Sequence, residues 1–234
     1  MLSGQSLLVV GTLIRKLSWP AESDLSESCL FAYNGIIAPI TSKACVLAVL
    51  LSLFLQPFTY PDILLEDDTA YGLYLTYVLE ILVKWVRLFI KRNKDRPRAC
   101  CGMIAIPRSS TQRSPFMWLG TSQPTTKDPD TFDLFKKCRQ TICEKTGVWS
   151  KALEKWDVGT CAETIPFSAM PIHRGRGDTI LSLCLASKGP DKRLRACKTC
   201  QATFLSHLIV NGGMVIDLAD SEEPESEVRI EEIS

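Results

Sequence analysis

The chain has 234 residues, of which 46% are apolar, so it is long enough to bury a substantial hydrophobic core. Its 27 basic and 26 acidic residues give a formal net charge of +1, which excludes a strong overall attraction to nucleic acid or to a membrane. Any such attraction must come from a local cluster. The ten cysteines follow no repeating spacing, and a chain this apolar does not need a disulfide scaffold, so we expect reduced thiols.

The first apolar run, within "MLSGQSLLVVGTLIRK", is preceded by no basic residue and followed by Arg15 and Lys16. A signal peptide has the opposite order of charge, so we expect an intracellular protein, cytoplasmic or nuclear. A second run, "ACVLAVLLSLFL" (44–55), is shorter than the roughly 20 apolar residues of a spanning helix. It predicts a buried helix, and a membrane-associated protein built on residues 36–58 is the alternative.

Residues 69–93 carry the clearest helical periodicity of the chain. Glu80, Lys84, Arg87 and Lys91 follow one another at spacings of four, three and four, which places them on one polar stripe. The opposite face is wide and apolar, as in a helix that packs in a core. A helix that binds a partner protein is the alternative.

The segment "KRNKDRPR" (91–98) is basic and ends near the helix breaker Pro97, so it predicts an exposed junction. It is typical of a solvated helix end, with nuclear import or phosphate binding as alternatives. The stretch that follows is rich in Ser, Thr and Pro. It predicts a linker over 107–129 between a mainly helical apolar region (1–106) and a second domain (130–219).

The second domain alternates helices and strands. Asp130 or Thr131 can cap a helix that Gly147 ends, and "GTCAETIPF" begins another helix. A buried strand (178–187), a basic loop, a helix from "ACKTC" and the strand "GMVIDLA" follow. This order predicts an α/β layered domain. The tail, 220–234, holds six glutamates and no aromatic residue, so we expect it to be disordered.

Three cysteines form a candidate metal site. Cys197 and Cys200 stand three residues apart at a helix start, so their thiols share one face and the helix dipole favours thiolate. Cys161 begins a neighbouring helix in the same way. Three soft ligands with one open position suit a catalytic zinc ion, and Glu163 can stand beside the ion without binding it.

The motif Cys161-Ala-Glu163, a gap that contains a strand, and then Cys197-x-x-Cys200 resembles the zinc-dependent cytidine deaminase-like superfamily. The resemblance covers about 130–219 and implies a layered α/β fold with helices packed on a small mixed sheet. It implies that Cys161, Cys197 and Cys200 bind Zn²⁺ and that Glu163 is the general acid and base. The implied reaction is hydrolytic deamination, in which water attacks C4 of a cytosine or C6 of an adenine.

The chain departs from the family pattern at several places. Ala196 stands where the family usually has proline, and Pro166 lies within the second helix, which must therefore kink or be short. Family members place a two-stranded hairpin before the first ligand, and here it is either missing or formed from "CCGMIAI" (100–106). The family's later helix and strand have no counterpart after Leu218.

Simpler interpretations stay open. Thr160-x-x-Glu163 is also a capping box, and Cys184 reads as a core residue. A closed structural zinc site needs a fourth ligand, for which His173 on a loop is the best candidate, while His207 lies about 10 Å along a helix from Cys200. A zinc-stabilised interaction protein without catalysis, using the N-terminal helices as its partner surface, is the alternative function.

Basic side chains surround the motifs. They are Lys188, Lys192, Arg193 and Arg195 before the cysteine pair, and Arg174 and Arg176 after the first motif. We expect Arg174, Arg193 and Arg195 to bind a phosphate-bearing substrate, a nucleotide or single-stranded nucleic acid. A solvated loop is the alternative. Trp149 and Trp156 precede the motif, where an aromatic ring either stacks on a base or packs in the core.

Overall fold

The computed structural model describes residues 30–33, 36–39, 43–55, 68–108, 115–123, 152–173, 177–190 and 192–219, together with the helical residues 133, 136–137, 139–140 and 143–144. Two short strands, β1 (Leu30–Tyr33) and β2 (Ile36–Pro39), form an antiparallel hairpin. The predicted acidic tail, the start of the chain and Gly147 lie outside the described residues.

Two helices follow the hairpin. The first, α1, spans Lys43–Leu55 and the second, α2, spans Asp68–Phe89, which confirms both predicted helices. Glu80 and Lys84 are exposed on α2, whereas Leu75, Val78 and Leu82 on its opposite face are buried. No helix in the described ranges is long and apolar enough to cross a membrane.

A five-stranded mixed sheet forms the centre of the fold. Its strands are β3 (Ala99–Ile106), β4 (Phe116–Thr121), β5 (Thr179–Ala186), β6 (Arg193–Leu194) and β7 (Met214–Asp217). The order is β4-β3-β5-β6, all antiparallel, and β7 pairs in parallel with the first half of β5. The remaining helices are α3 (Thr164–His173) and α4 (Lys198–Asn211). The chain is therefore an α/β protein, as the predicted layering requires.

The sheet alters the predicted domain organisation. β3 belongs to the predicted N-terminal region and β4 to the predicted linker, yet both pair in the sheet that contains β5. The prediction of a linker is wrong for 116–121, because every residue of β4 is buried. The apolar stretch "FMWLGT" is short and lies between polar segments rich in Ser, Thr and Pro, so the sequence does not indicate a strand there. The predicted N-terminal region is also not only helical, since it contains β1, β2 and β3.

Each face of the sheet is covered by its own pair of helices. Strand residues alternate in direction, so Ile104, Leu119 and Leu183 pack with α1 and α2 in one core. Met103, Trp118 and Cys184 point the other way and pack with α3 and α4 in a second core. A β-hairpin precedes Cys161 in the chain. The segment "CCGMIAI" (100–106) forms most of β3, the first strand of this β3–β4 hairpin.

A glycine on each face lets a helix approach the sheet closely. A Cβ at Gly102 would stand 2.6 Å from Leu75 Cδ1 on α2. A Cβ at Gly120 would stand 2.7 Å from the backbone oxygen of Ala162 and would also collide with Pro166. Pro166 lies in the first turn of α3, where a backbone N–H has no partner within the helix, so the helix continues past it to His173.

Candidate metal centre

Cys161, Cys197 and Cys200 meet at the starts of two helices. Cys161 lies three residues before α3, Cys197 immediately precedes α4, and Cys200 lies in the first turn of α4. The amide of Gln201 donates to the carbonyl of Cys197 at 2.9 Å, which fixes the entry into α4. The backbone N–H groups of a helix start favour thiolate, the form that binds metals, and here they act on Cys197 at the start of α4.

The three sulfurs have the spacing of a metal site. The Sγ atom of Cys197 lies 3.4 Å from that of Cys161 and 3.5 Å from that of Cys200. All three ligand atoms lie within 4.8 Å of one another. Tetrahedral zinc with Zn–S bonds of about 2.3 Å holds its sulfurs about 3.8 Å apart, so this cluster can bind a metal ion such as zinc.

The thiols share their protons unequally. Its hydrogen bonds with the thiols of Cys161 and Cys200 hold the pKa of Cys197 well below its usual range. The pKa of Cys161 is raised by its hydrogen bond with Cys197. Within the cluster, the thiolate form is therefore favoured most at Cys197.

Glu163 lies beside this cluster and is 5% exposed. It directly precedes α3, and its carbonyl accepts the hydrogen bond of the Phe167 amide at 2.9 Å. Burial raises the pKa of its carboxyl to about 7, and the charge of Cys197 acts in the same direction. A buried carboxyl near neutral pKa can both accept and release a proton.

The capping-box interpretation of Glu163 is wrong. The Thr160 hydroxyl donates to the carbonyl of Asp157 at 2.8 Å, and α3 begins only at Thr164. A capping box would require Thr160 to stand immediately before the helix and Glu163 to be its third residue. The side chain of Glu163 instead lies near Cys184, whose thiol lowers the pKa of the carboxyl against the larger effect of burial.

Cys184 belongs to a cross-strand pair beneath Glu163. It stands opposite Cys101 in the β3–β5 register, and both side chains are buried. Cys184 is thus a core residue, as predicted, and also a partner of Glu163, which the sequence did not reveal. Burial raises the pKa of Cys101, so the pair remains neutral.

Arg139 is a buried cation that holds the loop before α3. Its side chain is 0% exposed, and no carboxylate among the described residues pairs with it. Its Nη1 atom donates to the carbonyl of Gly159 at 2.9 Å and to that of Cys161 at 3.3 Å. Its Nη2 atom donates to the carbonyl of Thr121, at the end of β4. Arg139 therefore joins the first ligand to the sheet.

Asp217 and Trp156 contact the ligands from outside. Asp217, the last residue of β7, accepts the amide hydrogen of Ala196 at 2.7 Å. Proline would lack that hydrogen, so alanine at position 196 permits a bond that proline would not. The indole Nε1–H of Trp156 donates to the Sγ atom of Cys161 at 3.3 Å, while the side chain stays 43% exposed.

Sequence reasoning missed Arg139 and Asp217. Asp217 had a usable signal, because an acidic residue that follows the apolar run "MVI" stands at the carboxyl end of a buried strand. Arg139 had none, since it is one of many basic residues in a helical pattern. The structure describes only residues 133, 136–137, 139–140 and 143–144 of that predicted helix, and Asp130 and Thr131 lie outside them.

The predicted substrate-binding arginines have different positions. Arg193 is half-buried on β6, and its Nη1 atom lies 3.4 Å from the carbonyl oxygen of Leu218. Arg195 is exposed two residues before Cys197. Arg174 and Arg176, the side chains of His173 and His207, and Trp149 lie outside the described residues, so a fourth ligand from His173 stays a prediction.

Comparison of the chain with protein-family models, with curated proteins and with solved structures gives no match.

Proposed function

We propose that this protein is a zinc-dependent hydrolase that deaminates a cytosine- or adenine-type base in a nucleotide or nucleic acid. The observation that carries the proposal is the convergence of three thiols with a buried carboxyl, Glu163, two residues after the first of them. Three protein ligands leave one position of a tetrahedral ion open, which is the pattern of a catalytic rather than a structural zinc.

The order of elements supports the same proposal. A β-hairpin precedes the first ligand, α3 follows Cys161, β5 separates the two motifs, and α4 starts at the cysteine pair. This is the order implied by the resemblance to the cytidine deaminase-like superfamily. We infer a layer of that type, packed on one side by α3 and α4 and on the other by α1 and α2.

The proposed reaction replaces an exocyclic amine by oxygen. One C–O bond forms from water and one C–N bond breaks, so ammonia leaves and no oxidant or reductant is needed. Bound zinc would supply a Lewis acid that makes water nucleophilic near neutral pH. Glu163 takes the proton that water loses and gives it to the departing amine. Its burial keeps that proton from exchanging with bulk solvent.

Metal content and a single substitution test the metal site. We expect about one zinc per chain under reducing conditions and loss of zinc in Cys197→Ser, because a hydroxyl is a poor substitute for thiolate. Cys184→Ser is the matched control, since Cys184 lies in the same core but outside the three-thiol cluster. A fully folded wild type without zinc would overturn the proposal.

Glu163→Gln tests the chemistry. Glutamine keeps the shape and can accept a hydrogen bond, but it cannot carry a proton, so zinc should stay bound while deamination of nucleosides, nucleotides and oligonucleotides is lost. Ammonia release measures the reaction. Unchanged activity would show that Glu163 has only a structural role.

A second candidate function is that of a zinc-stabilised interaction protein without catalysis. It is favoured by three exposed apolar side chains on α2: Leu73, Tyr77 and Leu88. Their spacings of four and eleven place them along one stripe of the helix. Zinc binding without deamination of any tested base would favour this function.

A further inference from the structure

The structure brings together two basic segments that are far apart in the sequence. The amide of Ser187, after β5, donates to the carbonyl of Arg98, before β3, at 3.0 Å. The amide of Ala186 donates to the carbonyl of Lys192, before β6, at 2.9 Å. The basic junction at 91–98 and the basic loop at 188–192 therefore lie at the same end of the sheet.

Two arginines fix this arrangement. Arg87, on α2, donates to the carbonyl of Gly189 at 2.9 Å and to that of Ser187 at 3.2 Å. Arg96 donates to the carbonyl of Ile90 at 2.7 Å and to that of Arg87 at 2.9 Å. Both guanidinium groups donate to backbone oxygens, so they hold the two basic segments in place.

Five other cations remain available. We define the basic surface as Lys91, Lys94, Arg98, Lys188 and Lys192. All are exposed except Lys188, which is half-buried, and its Nζ atom lies 3.5 Å from the carbonyl oxygen of Lys94. Asp95 is already paired with Arg92 at 2.6 Å. Within the part of the chain that the structure describes, none of the five forms an ion pair.

Like charges lie close to Lys188. Its pKa is lowered, first by burial and then by the charge of Arg98; Asp95 opposes this effect and Arg96 adds to it. An anion placed here would therefore relieve repulsion between cations that the fold holds together. Strand ends about 4.8 Å apart place Arg98, Lys188 and Lys192 side by side.

The basic surface leads towards the candidate metal centre. Lys192 lies five positions before Cys197, a separation of at most about 18 Å, and exposed Arg195 lies between them. Along a stacked strand with the 3.4 Å rise that each strand has in a duplex, about five nucleotides cover that distance.

We propose that the basic surface binds the phosphate backbone of single-stranded nucleic acid and leads it to the metal centre. The part of this inference that directs the strand towards the metal centre rests on the proposed function. A base must leave a duplex to be deaminated, which favours a single strand over a double strand. A path of this length falls within the 4–16 nucleotides that single-strand binding sites occupy.

Binding is tested on the zinc-loaded protein with a fluorescein-labelled 12-nucleotide DNA strand. Five phosphate contacts predict affinity about 100-fold weaker at 200 mM than at 50 mM salt, since each contact contributes about 0.7 to the slope for single strands. Lys94→Glu with Lys188→Glu should weaken binding at least tenfold and flatten that slope. Arg108→Glu is the control, because Arg108 follows the opposite end of β3.

The outcomes separate the binding surface from the proposed function. Deamination of a free nucleoside together with salt-independent or absent binding of the strand would overturn the inference and keep the function. Binding of the strand by Glu163→Gln, with no deamination by the wild type, would keep the inference alone. Equal binding by wild type and the Lys94/Lys188 variant, or binding to anionic lipid vesicles in place of the strand, would also overturn it.

Discussion

The two faces of the central sheet differ in chemistry. The face under α1 and α2 is packed mainly with leucine, valine and isoleucine side chains. The face under α3 and α4 buries Glu163, Ser182, Cys101 and Cys184 close together. Burying polar groups costs stability unless each is partnered. Apolar packing under α1 and α2 therefore stabilises the fold. The buried polar groups under α3 and α4, beside the three-cysteine cluster, lower that stability.

The largest effect should come from Arg139→Met, which removes the donor for several buried carbonyls next to Cys161. Each buried carbonyl left without a donor costs about 1–3 kcal/mol, and metal affinity should fall with the stability of the loop. Urea unfolding and competition with a chromophoric chelator measure the two effects. Arg139→Lys, which keeps the charge but not the fork of donors, should recover only part of each. Normal metal affinity in Arg139→Met would show that the loop before α3 keeps its conformation without Arg139.

Leu82→Ala tests the opposite face. Leu82 is 0% exposed, and its truncation should lower the free energy of unfolding by about 3 kcal/mol. The folded fraction should still bind one zinc with wild-type affinity, because the sheet separates Leu82 from the cysteines. A matched loss of metal affinity would mean that the two faces are coupled.

Gly120→Ala and Gly102→Ala form a pair that sharpens the contrast. Each added methyl overpacks one face and should cost about 2 kcal/mol. At Gly120 the methyl collides with Pro166 and the backbone of Ala162, so α3 must move and zinc affinity should fall. At Gly102 it meets the flexible side chain of Leu75, so zinc affinity should not change. Equal zinc affinity in both variants would contradict this account.

The smallest effect is expected for Trp156→Phe, which removes the N–H that donates to Cys161. Loss of such an outer contact should weaken zinc affinity about tenfold, or about 1.4 kcal/mol. The free energy of unfolding of the metal-free protein should not change. Trp85→Phe on α2 serves as the control. A cobalt-substituted sample would show the change directly in its sulfur-to-metal absorption band, and an unshifted band would argue against the contact.

The sequence was sufficient where the signal was local. The periodicity of Glu80, Lys84 and Arg87 predicted α2, and the apolar runs predicted α1, β5 and β7. Cysteine spacing and helix starts likewise predicted the three-thiol cluster that the structure contains. These features depend on neighbours a few residues away, which a single sequence displays.

Pairing across long distances was not accessible in the same way. Nothing in "FMWLGT" indicates that it pairs with β3, and the contact of Arg139 with Cys161 spans 22 residues. Lys94 and Lys188, which come together in the structure, are 94 residues apart in the sequence. Each basic segment taken alone is typical of a solvent-exposed loop. These contacts arise from the sheet order, which local patterns do not determine.

The separation of Cys161 from Cys197 by 36 positions gives the metal centre a second consequence. A bound ion would cross-link the chain and close a loop that contains all of β5, the strand at the middle of the sheet. By the chain-entropy relation used for disulfides, closing a loop of that length removes about 4 kcal/mol of freedom from the unfolded state. Metal loading should therefore slow hydrogen exchange most strongly at the amides of β5.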